Sequence, residues 1–328
     1  MTIPCVTTDV ETLRTGNDAN TIPGSLNIDV QDSELRQVET LIEDELKRLD
    51  DGPAKEAALY QIRTGGGLLR ARLALASGHA FQCSTQYRTA AAAACELIHN
   101  ASLVHDDLLD RDEFRRGKPA VWKQFGESVA LCTGDLLLCS AFGVVSGIEE
   151  RHQSQRLAQQ LTRMTSRIII GQSREVAPAR HQLKPDLRLY LETTTAKTVP
   201  LIELPLMTGA VAAEADTETR ATIQRLSGAI GLAYQIIDDL DDLANGYEFL
   251  HPFHAWHHHQ PSGPENSPQR CCRAMQHALA ALDRAERTLS MLETKLPAAL
   301  GPRLRPLLAE LQRRATVHRD RISYMVKT

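Results

Sequence analysis

Hydrophobic residues recur at intervals of three and four along most of the chain. The first such run begins near Asp32 and continues through Leu35, Val38, Ile42 and Leu46, so its apolar side chains would share one face of an α-helix. Runs with the same spacing cover residues 68–75, about 85–112, 127–147, 154–177, 184–214, 217–243, 270–296 and 302–323. Alternating patterns typical of strands are nearly absent. The chain is therefore predicted to be all-α.

Composition divides this pattern into an N-terminal arm and one domain. Residues 1–26 are polar, contain Pro and Gly and lack periodicity, which predicts a flexible arm. Residues 27–328 predict a single helical domain, because 42% of the 328 residues are hydrophobic and suffice for one large core. Within it, residues 246–268 are rich in His and irregular, which predicts an exposed loop. Pro200 and Pro205 predict a kink in the helix that contains them, since each removes a backbone hydrogen bond.

The charge of the chain argues against two broad classes of partner. Lys and Arg number 37 and Asp and Glu 41, so the net charge of −4 at pH 7 gives no general attraction to nucleic acid or to an anionic membrane. No basic segment followed by an apolar segment opens the sequence, and no uncharged apolar run approaches the roughly 20 residues of a membrane span. We expect a cytoplasmic protein with no nucleic-acid partner and no membrane span.

A cluster of aspartates interrupts one apolar helix, in the sequence LVHDDLLDRDEFRRGKP at residues 103–119. Asp106 and Asp110 are four residues apart and share one helix face, whereas Asp107 is rotated by roughly 100°. Two such charges repel each other inside a bundle unless a hard cation lies between them, and ligands that are all oxygen favour Mg²⁺. A solvated acidic face is the alternative for this cluster alone.

A second cluster repeats the arrangement, in QIIDDLDD at residues 235–242. Asp238 and Asp242 share a face, with Asp239 beside them, and the surrounding helix is again apolar. Two clusters about 130 residues apart, each on an apolar helix, would face each other across a cavity and hold Mg²⁺. Such a site binds a diphosphate, whose oxygens complete the coordination of the metal.

Three cationic residues lie near these clusters in the sequence or the predicted fold. Arg115 and Arg116 follow the first cluster directly, and Lys197 lies among apolar residues on a third helix. Guanidinium groups bind phosphate oxygens in pairs, and Lys supplies a compact charge. Each residue alone also fits the surface, but together they favour an anionic ligand.

Five motifs follow one another between about residues 60 and 243. They are HNASLVHDD, LLDRDEFRRGKP, GQSRE, YLETTTAKT and GLAYQIIDDLDD. This ordered set resembles the trans-isoprenyl diphosphate synthases, the polyprenyl synthetase family. The resemblance implies an isoprenoid synthase-type helical bundle around a deep central cavity, a homodimer, and about three Mg²⁺ ions in each active site.

The resemblance also implies which residues bind the metal. The implied ligands are Asp106, Asp110 and Asp238, with support from Asp107, Asp239 and Asp242. Gln172, in the GQSRE motif, would lie at the rim of the metal cluster.

Two diphosphates are implied as substrates. Arg115 and Lys197 would hold an allylic diphosphate, and Thr198 and Gln235 would line the cavity near the reacting carbon. The residues implied for the second substrate, isopentenyl diphosphate, are Arg70, His99 and Arg116.

The implied reaction joins these substrates into a trans-polyprenyl diphosphate. Mg²⁺ and cationic side chains would neutralise the leaving diphosphate, and an apolar cavity would keep water from the allylic cation. In the resembling enzymes the product grows along the first acidic helix toward its N-terminal end. Here that path meets the small residues Ala101 and Ser102, and further back Ala91–Ala94. We therefore expect a product of C20 (geranylgeranyl) or longer.

Two departures from the family leave alternatives open. Gly67 stands where the family has an acceptor-binding Lys, Leu68 stands where it has an Arg, and residues 245–269 contain no lysine where the family has a loop with lysines. The chain could be an elongating prenyltransferase, a class I terpene synthase that acts on one allylic diphosphate, or a non-catalytic partner subunit. The retained acceptor residues favour the first, the missing lysines favour the second, and the complete aspartate clusters count against the third.

Overall fold

The structure, a computed structural model, describes residues 28–176, 187–244, 267–294 and 300–327. Over these residues the chain forms twelve helices and one short hairpin. The helices are α1 Asp32–Lys47, α2 Pro53–Arg63, α3 Leu69–Ala80, α4 Thr85–Asp110, α5 Val121–Phe125, α6 Glu127–Ser146, α7 Arg151–Val176, α8 Leu187–Lys197, α9 Val199–Ala212, α10 Thr217–Ala244, α11 Ser267–Glu293 and α12 Leu300–Lys327. The predicted all-α class is confirmed.

Two helices, α2 and α5, were not predicted, and two predicted segments differ from the structure. The single helix predicted over 184–214 is two helices, because the chain breaks at Thr198 between α8 and α9. Pro200 lies in the first turn of α9, where its missing N–H has no helical partner to lose. The arm predicted for 1–26 and most of the predicted His-rich loop lie outside the described residues. The predicted end of that loop at residue 268 is wrong, because α11 begins at Ser267.

Two helices, α3 and α9, occupy the centre of the bundle. All fourteen residues of α9 are buried, and ten of the twelve residues of α3 are, as expected of helices that are apolar on every side. Ser77 of α3 donates a hydrogen bond to the carbonyl of Leu206 at 2.7 Å and accepts one from the N–H of Gly209 at 3.0 Å. The apolar core consists of two clusters, and both contain residues of α3 and α9. One cluster also contains residues of α10, α11 and α12. The other also contains residues of α1, α2, α4, α6 and α7.

A two-stranded hairpin follows α4 and was not predicted. Strands β1 (Phe114–Arg115) and β2 (Lys118–Pro119) pair antiparallel. The two residues between them, Arg116 and Gly117, have φ values of 52° and 74°, which is typical of a type I′ turn. A left-handed conformation costs a residue with a side chain about 1 kcal/mol. The turn has this cost, and it directs the side chains of Arg115 and Arg116 back toward α4.

One described helix, α6, is long and apolar enough to cross a membrane by length and composition, with 44% of its 18-residue apolar window buried. Helices in the core of a folded domain pass the same test. Moreover, α6 contains Asp135, and it packs Leu137 and Ala141 fully inside the protein. The finding is therefore weak, and we assign no membrane span.

Candidate active site

One cavity of about 470 Å³ collects most of the residues that the sequence singled out. Those that line it are Arg70, His99, Asp106, Arg115, Arg116, Lys197, Thr198, Gln235 and Asp238. Asp107 and Asp239 lie behind this wall, and Asp110 is exposed near the end of α4. Gln172 lines a neighbouring cavity, and the side chain of Asp242 lies outside the described part of the chain.

The two adjacent aspartates of the first cluster have different surroundings. Asp106 is half-buried at the cavity wall, and its Oδ2 lies 3.4 Å from Nζ of Lys197. Asp107 is 1% exposed and accepts hydrogen bonds on both carboxylate oxygens from Nε of Arg115, at 2.8 and 2.9 Å, and a further one from Nη2. Burial raises the pKa of Asp107, against the opposing effect of Arg115. In this structure Asp107 therefore fixes Arg115, and Asp106 faces the cavity.

The second cluster divides in the same way. Asp238 lines the cavity with 44% of its side chain exposed. Asp239 is buried behind it and accepts hydrogen bonds from Tyr190 at 2.5 Å and from Nε2 of Gln235 at 2.7 Å. Gln235 in turn accepts one from the hydroxyl of Thr198 at 2.7 Å. Burial raises the pKa of Asp239 to about 6. This chain of hydrogen bonds holds the break between α8 and α9 against α10.

A third group lies where α3 begins. Arg70 is buried, with its guanidinium 5.6 Å from the ring centre of Tyr234. Nε of Arg70 and Nδ1 of His99 are buried without a hydrogen-bond partner. Burial, followed by the charge of Arg70, lowers the pKa of His99 well below its usual value, so this imidazole is neutral. Leaving such groups unpaired costs about 1 to 3 kcal/mol each, which points to a polar ligand.

Gly66 makes room for the last cation of this group. A Cβ at this position would lie 2.6 Å from Nη2 of Arg116, and the φ of Gly66 is +149°. Only glycine allows both the backbone conformation and the close approach of the guanidinium. The turn residue Arg116 and the glycine loop before α3 are therefore fitted to each other.

A second, apolar cavity of about 320 Å³ runs along α4 from Leu109 past Asp106 to Ile98. Ala101 lines it, and so does Gln172, whose amide oxygen and nitrogen are both buried without a partner. Ala91–Ala94 are not among the residues that line this cavity, and their place on the path of the product stays a prediction. These four alanines are fully buried in the core cluster, where small side chains let α4 pack closely on its neighbours.

Sequence reasoning missed a buried acid of α4 that contacts the start of α3. Glu96 is 3% exposed and accepts a hydrogen bond from the N–H of Ala71 at 2.9 Å. It thereby caps the first turn of the helix that carries Arg70. Its position one turn before His99, on a helix that is otherwise apolar there, was the available signal.

Sequence reasoning also missed a cation contributed by the last helix. Arg314 of α12 lines the main cavity. It pairs with Asp241, which also bonds to His318 at 2.5 Å. The signal was weak, because Arg314 follows the buried Leu307 and Leu311 at helical spacing and so falls beside the apolar stripe.

The donor set fits Mg²⁺. Within the described residues no three His, Cys, Asp or Glu side chains are close enough to hold a metal by themselves. Mg²⁺ commonly takes one or two carboxylates and completes its shell with water and substrate phosphates. Asp106 and Asp238 offer such carboxylates to one cavity, and the unpartnered amide of Gln172 lies beside Asp106.

Comparison with known proteins agrees with this geometry. The profile of the family described as Polyprenyl synthetase matches residues 53–251. A short chain isoprenyl diphosphate synthase of Methanocaldococcus jannaschii is 31% identical over 258 residues, covering 77% of this chain and 76% of that protein. A geranylgeranyl diphosphate synthase of Mycobacterium tuberculosis is 33% identical over 221 residues, covering 60% of this chain and 62% of that protein. The crystal structure of a polyprenyl synthase from Caulobacter crescentus, complexed with calcium and isoprenyl diphosphate, superposes with a TM-score of 0.67 at 24% identity, covering 87% of this chain and 94% of that one.

The described residues form an all-α bundle with the fold of that polyprenyl synthase, as the motifs led us to expect. The chain belongs to the polyprenyl synthetase family, the trans-isoprenyl diphosphate synthases. It is therefore an enzyme of the prenyltransferase class.

Replacing Arg115 tests the pairing with Asp107. Arg115→Gln leaves a carboxylate that is 1% exposed without its cation, and we expect a loss of about 3 kcal/mol in the free energy of unfolding at pH 7. The pKa of the unpaired, buried Asp107 lies above its unfolded value, so the folded state binds the proton more tightly and the loss shrinks as the pH falls through that pKa. Urea unfolding at pH 7 and at about pH 5 measures both effects.

The matched control is Lys123→Gln, which breaks a pair with Glu113 whose side chains are 45% and 50% exposed. Exposed pairs contribute about 0 to 1 kcal/mol. If both variants lost the same free energy of unfolding, the pair of Arg115 and Asp107 would contribute no more to stability than an exposed pair.

Proposed function

We propose that the protein condenses an allylic diphosphate with isopentenyl diphosphate, with Mg²⁺ as cofactor, to give a trans-polyprenyl diphosphate. The observation that carries the proposal is a single cavity lined by four of the predicted cations together with two of the predicted aspartates. The cations are Arg70, Arg115, Arg116 and Lys197, and the aspartates are Asp106 and Asp238. Four cations in one cavity fit two diphosphates.

In the proposed reaction, the bond between the allylic carbon and its diphosphate oxygen breaks, and a carbon–carbon bond to the alkene of the second substrate forms. Arg115 and Lys197 stabilise the charge that grows on the leaving diphosphate. Bound Mg²⁺, held by Asp106, Asp110 and Asp238 with support from the other aspartates, would supply further electrostatic stabilisation. The dipoles of Thr198 and Gln235 face the allylic cation, and the leaving diphosphate accepts the proton that the new product loses.

The second substrate is oriented by the group at the start of α3. Arg70 and Arg116 bind its diphosphate in pairs of hydrogen bonds. Neutral His99 donates a hydrogen bond without adding a further positive charge to the neighbouring guanidinium groups. A terpene synthase that acts on one allylic diphosphate would leave these buried polar atoms without a ligand. Because these atoms are unpaired in the free protein, we favour condensation over the cyclase alternative. The absence of a lysine at residue 67 is the feature that still supports the cyclase.

Two finer features belong to the same proposal. Mg²⁺ as the metal is supported by the oxygen ligands and by the calcium in the structure of the Caulobacter relative. A homodimer is supported by the exposed apolar side chains of Leu131, Ile169 and Ile170, which are 54%, 53% and 49% exposed on α6 and α7. Leu131 and Ile169 also line the apolar cavity, so a second copy would close its outer side. The cytoplasmic location stays a prediction.

Product assays test the condensation directly. Purified protein is incubated with Mg²⁺ and C5, C10, C15 or C20 allylic diphosphates, with and without isopentenyl diphosphate, and we expect longer prenyl diphosphates only when both substrates are present. Asp106→Ala and Asp238→Ala should each lower turnover by about 10²-fold or more at saturating Mg²⁺. Asp44→Ala, at an exposed position on α1, serves as the control. Conversion of one allylic diphosphate alone to a hydrocarbon or alcohol would replace this proposal with the terpene synthase.

The apolar cavity beside α4 bears on the expected product. The small side chains of Ala101 and Ser102 line it and leave it open, and we propose a product of C20 or longer. Ala101 is fully buried and lines the cavity. Ala101→Tyr should therefore fill it and shift the main product to C15, as chromatography of the hydrolysed products would show. Ala101→Ser should keep the wild-type product, and an unchanged product in the Tyr variant would refute this path.

The missing acceptor lysine can be restored. A Cβ at Gly67 would meet no atom within 4 Å, and Gly67 does not have a positive φ, so a side chain is tolerated there. Gly67→Lys adds one charge-assisted contact, and we expect the KM for isopentenyl diphosphate to fall by about ten-fold or more. The KM for the allylic substrate should stay nearly unchanged.

Gly66→Lys is the matched control, because its strained φ and the nearby Arg116 exclude a side chain. It should weaken acceptor binding. If Gly67→Lys leaves both Michaelis constants unchanged while the protein remains folded, residue 67 does not face the acceptor.

A further inference from the structure

Arg314 is a cation of the main cavity that neither motif nor spacing assigns to the site. It lies on α12, its side chain is 11% exposed, and it lines the cavity together with Tyr234 and Asp238. Its contacts to Asp238 and Asp241 are both made through Nη2. In the described part of the chain neither Nε nor Nη1 of Arg314 donates a hydrogen bond. Two of its donor nitrogens thus remain for a ligand.

We propose that Arg314 binds the diphosphate of the acceptor substrate, as a further residue of the group formed by Arg70, His99 and Arg116. This inference rests on the proposed condensation and adds a binding residue to it. A guanidinium presents its donors in a plane that matches phosphate oxygens. The last helix thereby supplies a cation to a site from which the lysine at residue 67 is missing.

The position of Tyr234 supports this assignment. Its ring stacks under Arg70 at 5.6 Å. Asp238 and burial raise the pKa of the Tyr234 hydroxyl, while the charges of Arg70 and Arg314 both oppose them. The charges of the two arginines therefore reach the same hydroxyl, and both arginines line the main cavity with Tyr234.

Asp241 and His318 act as positioning residues for Arg314. Asp241 accepts hydrogen bonds from Arg314 and, at 2.5 Å, from His318, whose side chain is 5% exposed. Asp241 is three residues after Asp238 and faces α12 from α10. If Asp238 turns to a metal, Asp241 still holds the guanidinium in place. The competing explanation is that Arg314 serves only to neutralise these two acids.

Ligand binding and kinetics of the full chain separate the two explanations. Isothermal titration calorimetry with inorganic pyrophosphate and with isopentenyl diphosphate, in metal-free buffer with chelator, gives Kd values. Steady-state assays with Mg²⁺ give KM and kcat. Arg314→Gln should raise the Kd and the KM for isopentenyl diphosphate by about ten- to a hundred-fold, with little change in kcat or in the allylic KM. Arg314→Lys should recover part of the affinity.

Arg313→Gln is the matched control, because Arg313 is next in the chain, is 60% exposed and pairs with Glu310 outside the cavity. It should change neither constant by more than about two-fold. The double variant Arg314→Gln with Asp241→Asn removes cation and acid together. If Arg314 binds the diphosphate, the double variant still binds pyrophosphate and isopentenyl diphosphate weakly. Thermal unfolding checks that the double variant is folded.

Two results overturn the proposal: an Arg314→Gln variant that keeps wild-type affinity and KM, or a double variant that regains them. Failure of the condensation is distinguishable from both. In that case wild type gives no product from isopentenyl diphosphate, but pyrophosphate binding still weakens in Arg314→Gln and in the double variant, and the diphosphate site stands.

Discussion

The site depends on one constraint, the cost of gathering carboxylates inside an apolar helical bundle. An unpaired charge in such a place destabilises the fold by several kcal/mol. The structure pairs four of these acids with a cation from a later part of the chain. The pairs are Asp106 with Lys197, Asp107 with Arg115, and Asp238 and Asp241 with Arg314. Because the cations come from the hairpin, α8 and α12, these pairings draw distant elements around one cavity.

The helical period then separates two tasks within each motif. Neighbouring residues on a helix differ by about 100°, so Asp106 and Asp238 reach the cavity while Asp107 and Asp239 point to the supporting structure. Asp107 fixes an arginine of the hairpin, and Asp239 closes a chain of hydrogen bonds that includes Gln235. On our proposal, the first carboxylate of each adjacent pair therefore binds the metal, and the second holds the residues around it in place.

Local periodicity was enough to predict the long helices and the faces that carry the aspartates, although it missed α2 and α5 and joined α8 to α9. It failed where non-local packing decides. The strands at 114–119 are too short to show alternation, so the turn that aims Arg116 into the cavity was missed. Small residues such as Ala91–Ala94 suit both a tunnel wall and close helix packing, and only their neighbours distinguish the two. The pairing of Asp241 with Arg314 joins residues far apart in the chain, so no spacing rule reveals it.

The ligand-free site also holds several unfavourable features at once. Arg116 has a positive φ, and buried polar atoms of Arg70, His99 and Gln172 have no partner. The largely buried α3 and the fully buried α9 supply the apolar packing that offsets these costs. A polar ligand would satisfy the unpaired atoms, so each cost in the free protein becomes a contribution to binding. The neutral state of His99 follows from the same balance, since a fourth positive charge beside Arg70, Arg115 and Arg116 would oppose the folded state before any diphosphate arrived.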